Sequence, residues 1–113
     1  VLFGGDSTVG VHDRTWTWNG ASWSERFPAS HPGARTMVGM TYDAARQRVV
    51  LFGGFGVAGG LAIDHNDTWE WDGITWTQRF PAHAPSPRGA VAMSTLWCVW
   101  LPRPKIWMPN CRR

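Results

Sequence analysis

Two stretches of this chain, Thr15 to Pro28 and Thr68 to Pro81, repeat one another almost position by position. Each carries tryptophans at the same places: Trp16, Trp18 and Trp23 in the first, Trp69, Trp71 and Trp76 in the second. Both turn on a dipeptide, Asn19-Gly20 or Asp72-Gly73, of the kind that accepts the positive φ angles of a two-residue type I′ turn. Each stretch therefore reads as a β-hairpin. With those dipeptides at the tips, Trp71 is expected to oppose Ile74, Glu70 to oppose Thr75 and Trp69 to oppose Trp76. In the first copy Trp16 is expected to oppose Trp23, and Trp18 to oppose Ala21. Alternation then collects Trp69, Trp71, Ile74 and Trp76 on one face. A row of indoles on a strand face usually fills a core, so these residues read first as packing groups. An exposed platform on which sugars stack is the functional alternative.

The repetition extends beyond the hairpins. Val1-Leu2-Phe3-Gly4-Gly5 recurs as Val50-Leu51-Phe52-Gly53-Gly54, 49 residues on, whereas Trp16 recurs as Trp69, 53 residues on; the second copy thus carries four more residues in the loop between. After the hairpin the match runs without a gap: Arg26-Phe27-Pro28-Ala29 becomes Arg79-Phe80-Pro81-Ala82, Pro32 becomes Pro85, Arg35 becomes Arg88 and Met40 becomes Met93. A period near 50 residues marks an array of supersecondary units, none of which buries its apolar face alone. Each unit offers four strands. The first is expected over Thr36 to Tyr42, and Asp43 is placed to hydrogen-bond the backbone of the turn that follows. The second, Arg48 to Phe52, is apolar throughout, as in a strand covered on both faces. It ends at Gly53-Gly54, where positive φ or a close backbone approach is expected. The tryptophan hairpin supplies the third and fourth strands, and proline-rich linkers, Phe27 to Pro32 and Phe80 to Pro87, lead to the next unit.

Four strands per unit, the glycine pairs Gly4-Gly5 and Gly53-Gly54, the turn glycines Gly20 and Gly73, and the spaced tryptophans resemble the kelch repeat, in its bacterial form reading Asp-Thr-Trp-x-Trp-Asp-Gly-x-x-Trp-Thr. The resemblance covers residues 1 to about 95 and implies an all-β fold, a partial β-propeller of four-stranded antiparallel blades. On that pattern residues 1–34 hold strands two to four of one blade, 35–87 a complete blade, 88–95 the first strand of a third, and 96–113 a divergent, irregular, basic tail. Propellers close with about 4–8 blades, so the chain is expected to be a fragment, a truncation or a protomer that closes by association. The repeat stops abruptly after Thr95, which suggests a decayed or out-of-frame ending; a basic segment docking on a partner or membrane surface is the alternative. An extracellular or periplasmic location follows from the resemblance alone.

The formal charge of +3 does not point to nucleic acid. Residues 1–95 hold seven arginines against eight acids and so carry −1, while the tail adds Arg103, Lys105, Arg112 and Arg113 with no acid. The basic character belongs to the tail. No apolar run approaches the ~18 residues of a membrane-spanning helix. The two cysteines, Cys98 and Cys111, both fall in the tail and read first as unpaired thiols, with a disulfide or metal pair as the alternative.

Gly54-Phe55-Gly56-Val57-Ala58-Gly59 matches a dinucleotide fingerprint and follows a strand, but no helix pattern begins there. A flexible glycine-rich loop is the preferred reading, and no cofactor is expected. His12 and His65 occupy matching places before the third strand of each unit, beside Asp13 in one copy and Asp64 and Asp67 in the other. One imidazole with scattered carboxylates is thin for zinc, which takes about four ligands, and recurrence favours a role in bonding the backbone. These loops, with His12, Asp13, Asp64 and His65, are the candidate partner contacts, since binding residues tend to lie on loops held by a rigid scaffold. Galactose oxidase shares the kelch propeller and uses copper with tyrosine, histidine and a tyrosine–cysteine cross-link; the single tyrosine here is Tyr42, and no copper ligand carries over. The expected function is a non-catalytic scaffold binding protein or glycan. A fragment of an oxidase-like propeller and a carbohydrate-binding module are the alternatives. Two partial units leave strand edges bare, so self-association is also expected.

Overall fold

Aromatic and β-branched residues at alternate positions, broken every few residues by glycine, asparagine or aspartate, favour short twisted strands over helix. The computed structural model, which describes residues 1–90 and Met93, is accordingly all-β, with antiparallel pairing throughout and no helix among the described residues. The strands are β1 (Leu2–Phe3), β2 (Asp6–Ser7), β3 (Gly10–Val11), β4 (Thr15–Trp18), β5 (Trp23–Arg26), β6 (Gly39–Asp43), β7 (Arg48–Phe52), β8 (Phe55–Ala58), β9 (Leu61–Asp64), β10 (Thr68–Trp71) and β11 (Trp76–Arg79). They form a three-stranded sheet in the order β1-β4-β5, a four-stranded sheet in the order β11-β10-β7-β6, and two small ribbons, β2-β3 and β8-β9. Each ribbon interrupts its unit at the same point, before the tryptophan hairpin.

The hairpins keep their faces but not the expected register. Trp71 pairs with Trp76 and Glu70 with Thr77; in the first copy Trp18 pairs with Trp23 and Trp16 with Glu25. The reason lies in the turn. Oδ1 of Asp72 accepts the backbone N–H groups of Ile74 and Thr75 at 2.8 and 2.9 Å, and Asn19 does the same for Ala21 and Ser22, both at 2.8 Å. This side-chain mimicry of a turn holds a four-residue loop, in which Gly20 and Gly73 take positive φ and the preceding Asn and Asp do not. The type I′ turn expected there is therefore absent. Because the slip is two residues, every side chain stays on its face. Ile74 is the exception: it sits in the loop, 79% exposed, rather than with the tryptophans.

Trp69, Trp71 and Trp76 pack with Leu51 and Phe3 in one core cluster, flanked by Val38, Met40 and Val49. Phe3 belongs to the first unit and the others to the second, so the core is the seam between the two sheets. The Phe3 and Trp76 rings meet edge to face at 5.5 Å, a favoured aromatic geometry. Nε1 of Trp76 donates to Oγ1 of Thr15 at 2.9 Å in the buried interior, satisfying a group that would otherwise oppose burial.

Two further expectations are revised. The first strand of the second unit begins at Gly39 rather than Thr36, because Met37 takes a φ of 53° that turns the chain. The segment read as a flexible glycine-rich loop is the ribbon β8-β9, whose tip Gly59-Gly60 has positive φ at both residues, as a two-residue primed turn requires. Asp43 does cap its turn, accepting from Arg46 N at 3.2 Å and Arg46 Nε at 2.8 Å. Of the strand expected over 88–95, only Arg88, Gly89, Ala90 and Met93 fall within the described residues; Cys98, Cys111 and the basic tail lie outside them.

Candidate functional site

The glycine pairs organise the rim from which both ribbons leave. In the first unit Gly4 N donates to Arg14 O, Gly5 N to Arg35 O, His12 N to Gly5 O and Arg35 N to His12 O, at 2.9–3.1 Å. In the second, Gly53 N donates to Asp67 O, Gly54 N to Arg88 O, His65 N to Gly54 O and Arg88 N to His65 O, at 2.8–3.2 Å. The same four bonds recur, so the ribbons spring from equivalent frames. Glycine is needed there for space as well as for φ. A Cβ on Gly54, whose φ is +103°, would lie 2.7 Å from Val38 Cγ1 and 2.9 Å from Thr36 O.

Thr36 ties the two ribbons together. Its N–H and C=O each bond Phe55 of β8 at 2.8 Å, and its hydroxyl donates to Asp6 Oδ1 of β2 at 3.2 Å. Both ribbons therefore project from one rim, with Thr36 between their bases. Their outer parts expose apolar side chains: Val9 at the tip of β2-β3, and Val57, Leu61 and Ile63 on β8-β9, with Leu61 71% exposed.

The four candidate contact residues sit at the ribbon bases rather than the tips. Nε2 of His12 lies 2.9 Å from Ser7 Oγ. Asp13 faces His31, with Oδ2 4.0 Å from Nδ1. Asp64 ends β9 opposite Phe55 and is exposed. His65 lies over Gly56, where any Cβ would come within 3.0 Å of its Nε2. Burial, reinforced by the nearby Arg35 cation, lowers the His65 pKa against the opposing pull of Asp67 and Asp64. Among the described residues no group of three or more His, Cys, Asp or Glu side chains is placed to hold a metal ion.

The polar residues that position this rim were not singled out by sequence. Arg35 is nearly inaccessible, and its guanidinium makes a two-pronged pair with the Asp67 carboxylate, Nη2 to Oδ2 at 3.0 Å, while also donating to Gly33 O and Gly53 O at 3.0 and 3.2 Å. Asp67 additionally accepts from Trp69 Nε1 at 2.7 Å. Burial raises the Asp67 pKa, but the bonds from Arg35 and Trp69 outweigh it and the net shift is downward. Glu70, buried on the opposite face of β10 from the tryptophans, is treated likewise: burial is overcome by Arg46 at 2.7 Å and Arg79 at 3.0 Å. The recurrence of Arg35 as Arg88 was a usable signal. Asp67 gave none by recurrence, because its counterpart in the first unit is Arg14, but it opens the Asp-Thr-Trp motif on which the kelch resemblance rests.

Comparison of the chain with protein-family models, with characterised proteins and with solved structures finds no match. Among the described residues no helix is long and apolar enough to cross a membrane.

Proposed function

We propose that this chain is part of a kelch-type β-propeller and acts as a non-catalytic recognition scaffold, with the β2-β3 and β8-β9 ribbons as the contact surface for a protein partner. The observation that carries the proposal is the pair of ribbons rising from one rim on identical backbone frames, with Val9, Val57, Leu61 and Ile63 turned to solvent. Exposed apolar groups on a rigid base are what a protein contact uses, since burying each contributes roughly 1.5–3 kcal/mol. The kelch assignment is supported by the motif order and by the four-stranded antiparallel sheet β11-β10-β7-β6 with its three-stranded counterpart.

A photo-crosslinking residue placed at Leu61, compared with one at Ala45 on the far turn, tests this reading in cells expressing the chain. The expected result is a discrete cross-linked protein at position 61 that is lost when Ile63→Lys is added. Equal products at both sites would refute it.

Glycan binding has one observation in its favour: the Trp18 and Trp23 rings lie 5.4 Å apart, tilted by 47°, and are about half exposed, 50% and 51%. Titration with oligosaccharides, read by fluorescence and compared with a Trp23→Ala variant, decides it. The oxidase-like reading makes a different demand, that copper alter the protein's spectra or stability; identical behaviour of apo and copper-loaded samples removes it.

A further inference from the structure

Among the described residues each sheet carries the counterpart of one half of the seam on the face turned away from it. On the four-stranded sheet, the face away from the tryptophans bears an open cleft of about 320 Å³ lined by Phe52, Thr68, Pro85 and Arg88. By the repeat these are the counterparts of Phe3, Thr15, Pro32 and Arg35. Of those, Phe3 meets the Trp76 ring edge to face and Thr15 accepts from its Nε1, while Pro32 and Arg35 are buried. Among the described residues the cleft is therefore a copy of that site with no tryptophan seated in it. Trp76 also has a counterpart, Trp23, and it is unoccupied in the complementary sense. Trp18 and Trp23 stack at 5.4 Å and 47°, nearly the 5.5 Å and 47° of Trp71 and Trp76, yet they stand half exposed on the three-stranded sheet where Trp71 and Trp76 are buried.

We infer that the occupant of the cleft is a second copy of this chain, docked head to tail so that its Trp18–Trp23 pair enters the Phe52–Thr68 cleft as Trp71–Trp76 enters the Phe3–Thr15 site. Three contacts follow from the internal seam. Trp23 Nε1 of one copy donates to Thr68 Oγ1 of the next; the edge-to-face contact forms between Trp23 and Phe52; and Trp23 N donates to His83 O, as Trp76 N donates to Ser30 O at 3.2 Å. The two surfaces differ, so the contact is heterologous and leaves a free donor and a free acceptor after each addition, giving a ring where the rotation closes and a filament where it does not.

One position of the internal seam is reversed in the intermolecular one. Arg35 finds Asp67, but Arg88 would find Arg14, which in the free chain pairs with Glu25 at 2.9 Å. The Arg88 guanidinium meanwhile donates to Ser86 O at 3.1 Å and Ser86 Oγ at 2.9 Å. The native contact is thus weakened by like charge, and Arg14→Asp should tighten it by roughly tenfold.

The experiment is analytical ultracentrifugation of the whole chain over a range of concentrations. The native protein should show a concentration-dependent ladder of species. Trp23→Ala, which removes the donor, and Thr68→Arg, which fills the acceptor, should each be monomeric alone, and an equimolar mixture should give a single dimer because one intact surface of each kind remains. Trp23→Phe keeps a ring but no N–H and should weaken association roughly fivefold, which serves where Trp23→Ala does not fold. A native chain that stays monomeric overturns the inference. So does a dimer abolished by Trp23→Ala but indifferent to Thr68→Arg, which would mean symmetric tryptophan pairing, or an Arg14→Asp protein no tighter than the native one.

Discussion

Replacing Asp67 by alanine tests whether Arg35, whose backbone bonds Gly5 and His12 of the first unit, fixes the second unit to the first through its buried guanidinium. The substitution strips Arg35 of both carboxylate bonds and Trp69 of its Nε1 acceptor, leaving an arginine side chain only 3% exposed with the carbonyls of Gly33 and Gly53 for partners. Removing one member of a buried pair costs roughly 3–5 kcal/mol, because the other charge is stranded. The Asp67 carboxylate is 20% exposed, so water reaches the place it vacates and the cost belongs near the lower end, about 3 kcal/mol. In an Arg35→Met background there is no charge to strand. There the same substitution should cost only about 1 kcal/mol, chiefly the lost indole bond. The difference, about 2 kcal/mol, is the coupling between the two side chains. Urea unfolding of the four proteins, followed by tryptophan fluorescence and far-ultraviolet circular dichroism at fixed protein concentration, measures it. Equal costs in the two backgrounds would refute the claim that this pair joins the units.

Thr15→Val keeps the shape of the seam but leaves Trp76 Nε1 without an acceptor, and should destabilise by about 1–3 kcal/mol in the same unfolding assay. Gly54→Ala meets both a positive φ and a crowded site, so it should cost more than the roughly 1 kcal/mol of an uncrowded positive-φ position and lower the thermal midpoint. Acid should unfold the chain in two stages. His65 has a folded pKa below its ordinary 6.5, so the stability it lends is complete above that value and declines as pH falls through the folded one. Asp67 and Glu70, lowered from 3.8 and 4.5, add a second loss at more acidic pH. A His65→Gln protein should lose only the first stage, and an unchanged pH profile would contradict the assignment.

The sequence made the all-β fold legible because its two devices, alternation and turn dipeptides, are local. The pairing of the tryptophan stretches and the shared face of Trp69, Trp71 and Trp76 followed from them. Register was misjudged for an equally local reason. Asp72-Gly73 suits a two-residue loop by backbone preference, but the Asp72 carboxylate can also gather two N–H groups and stabilise a four-residue one, and the second option places Trp71 directly across from Trp76. The cross-strand indole pair and the side-chain turn together outweigh a preference of the backbone alone. The ribbon β8-β9 was hidden because glycines at 56, 59 and 60 look like flexibility, whereas one makes room for His65 and two form the primed turn. The rim was least legible. Arg35 meets Asp67 32 residues on and Thr36 meets Asp6 30 residues back, and no spacing rule joins residues that far apart.

The repeat also separates what every junction shares from what distinguishes one junction from another. The four-bond backbone frame recurs with the glycine pair and so sets a common geometry, and the residues of the indole-on-threonine contact, Trp76 and Thr15, have counterparts in Trp23 and Thr68. The charge pair does not recur: position 67 is aspartate where position 14 is arginine. The internal seam therefore exceeds an intermolecular one by the Arg35–Asp67 pair, and by the difference between attraction and repulsion. Protonating Asp67 erases much of that difference, since a neutral carboxyl no longer offsets the buried guanidinium. Acid should thus lower the internal seam toward the strength of the external one before either hairpin melts. At that pH the two units of one chain should separate while their tryptophan pairs remain stacked, detected as a gain in hydrodynamic radius at constant exciton-coupled circular dichroism. Loss of both signals together would place the cooperative unit at the whole chain instead of at the single sheet.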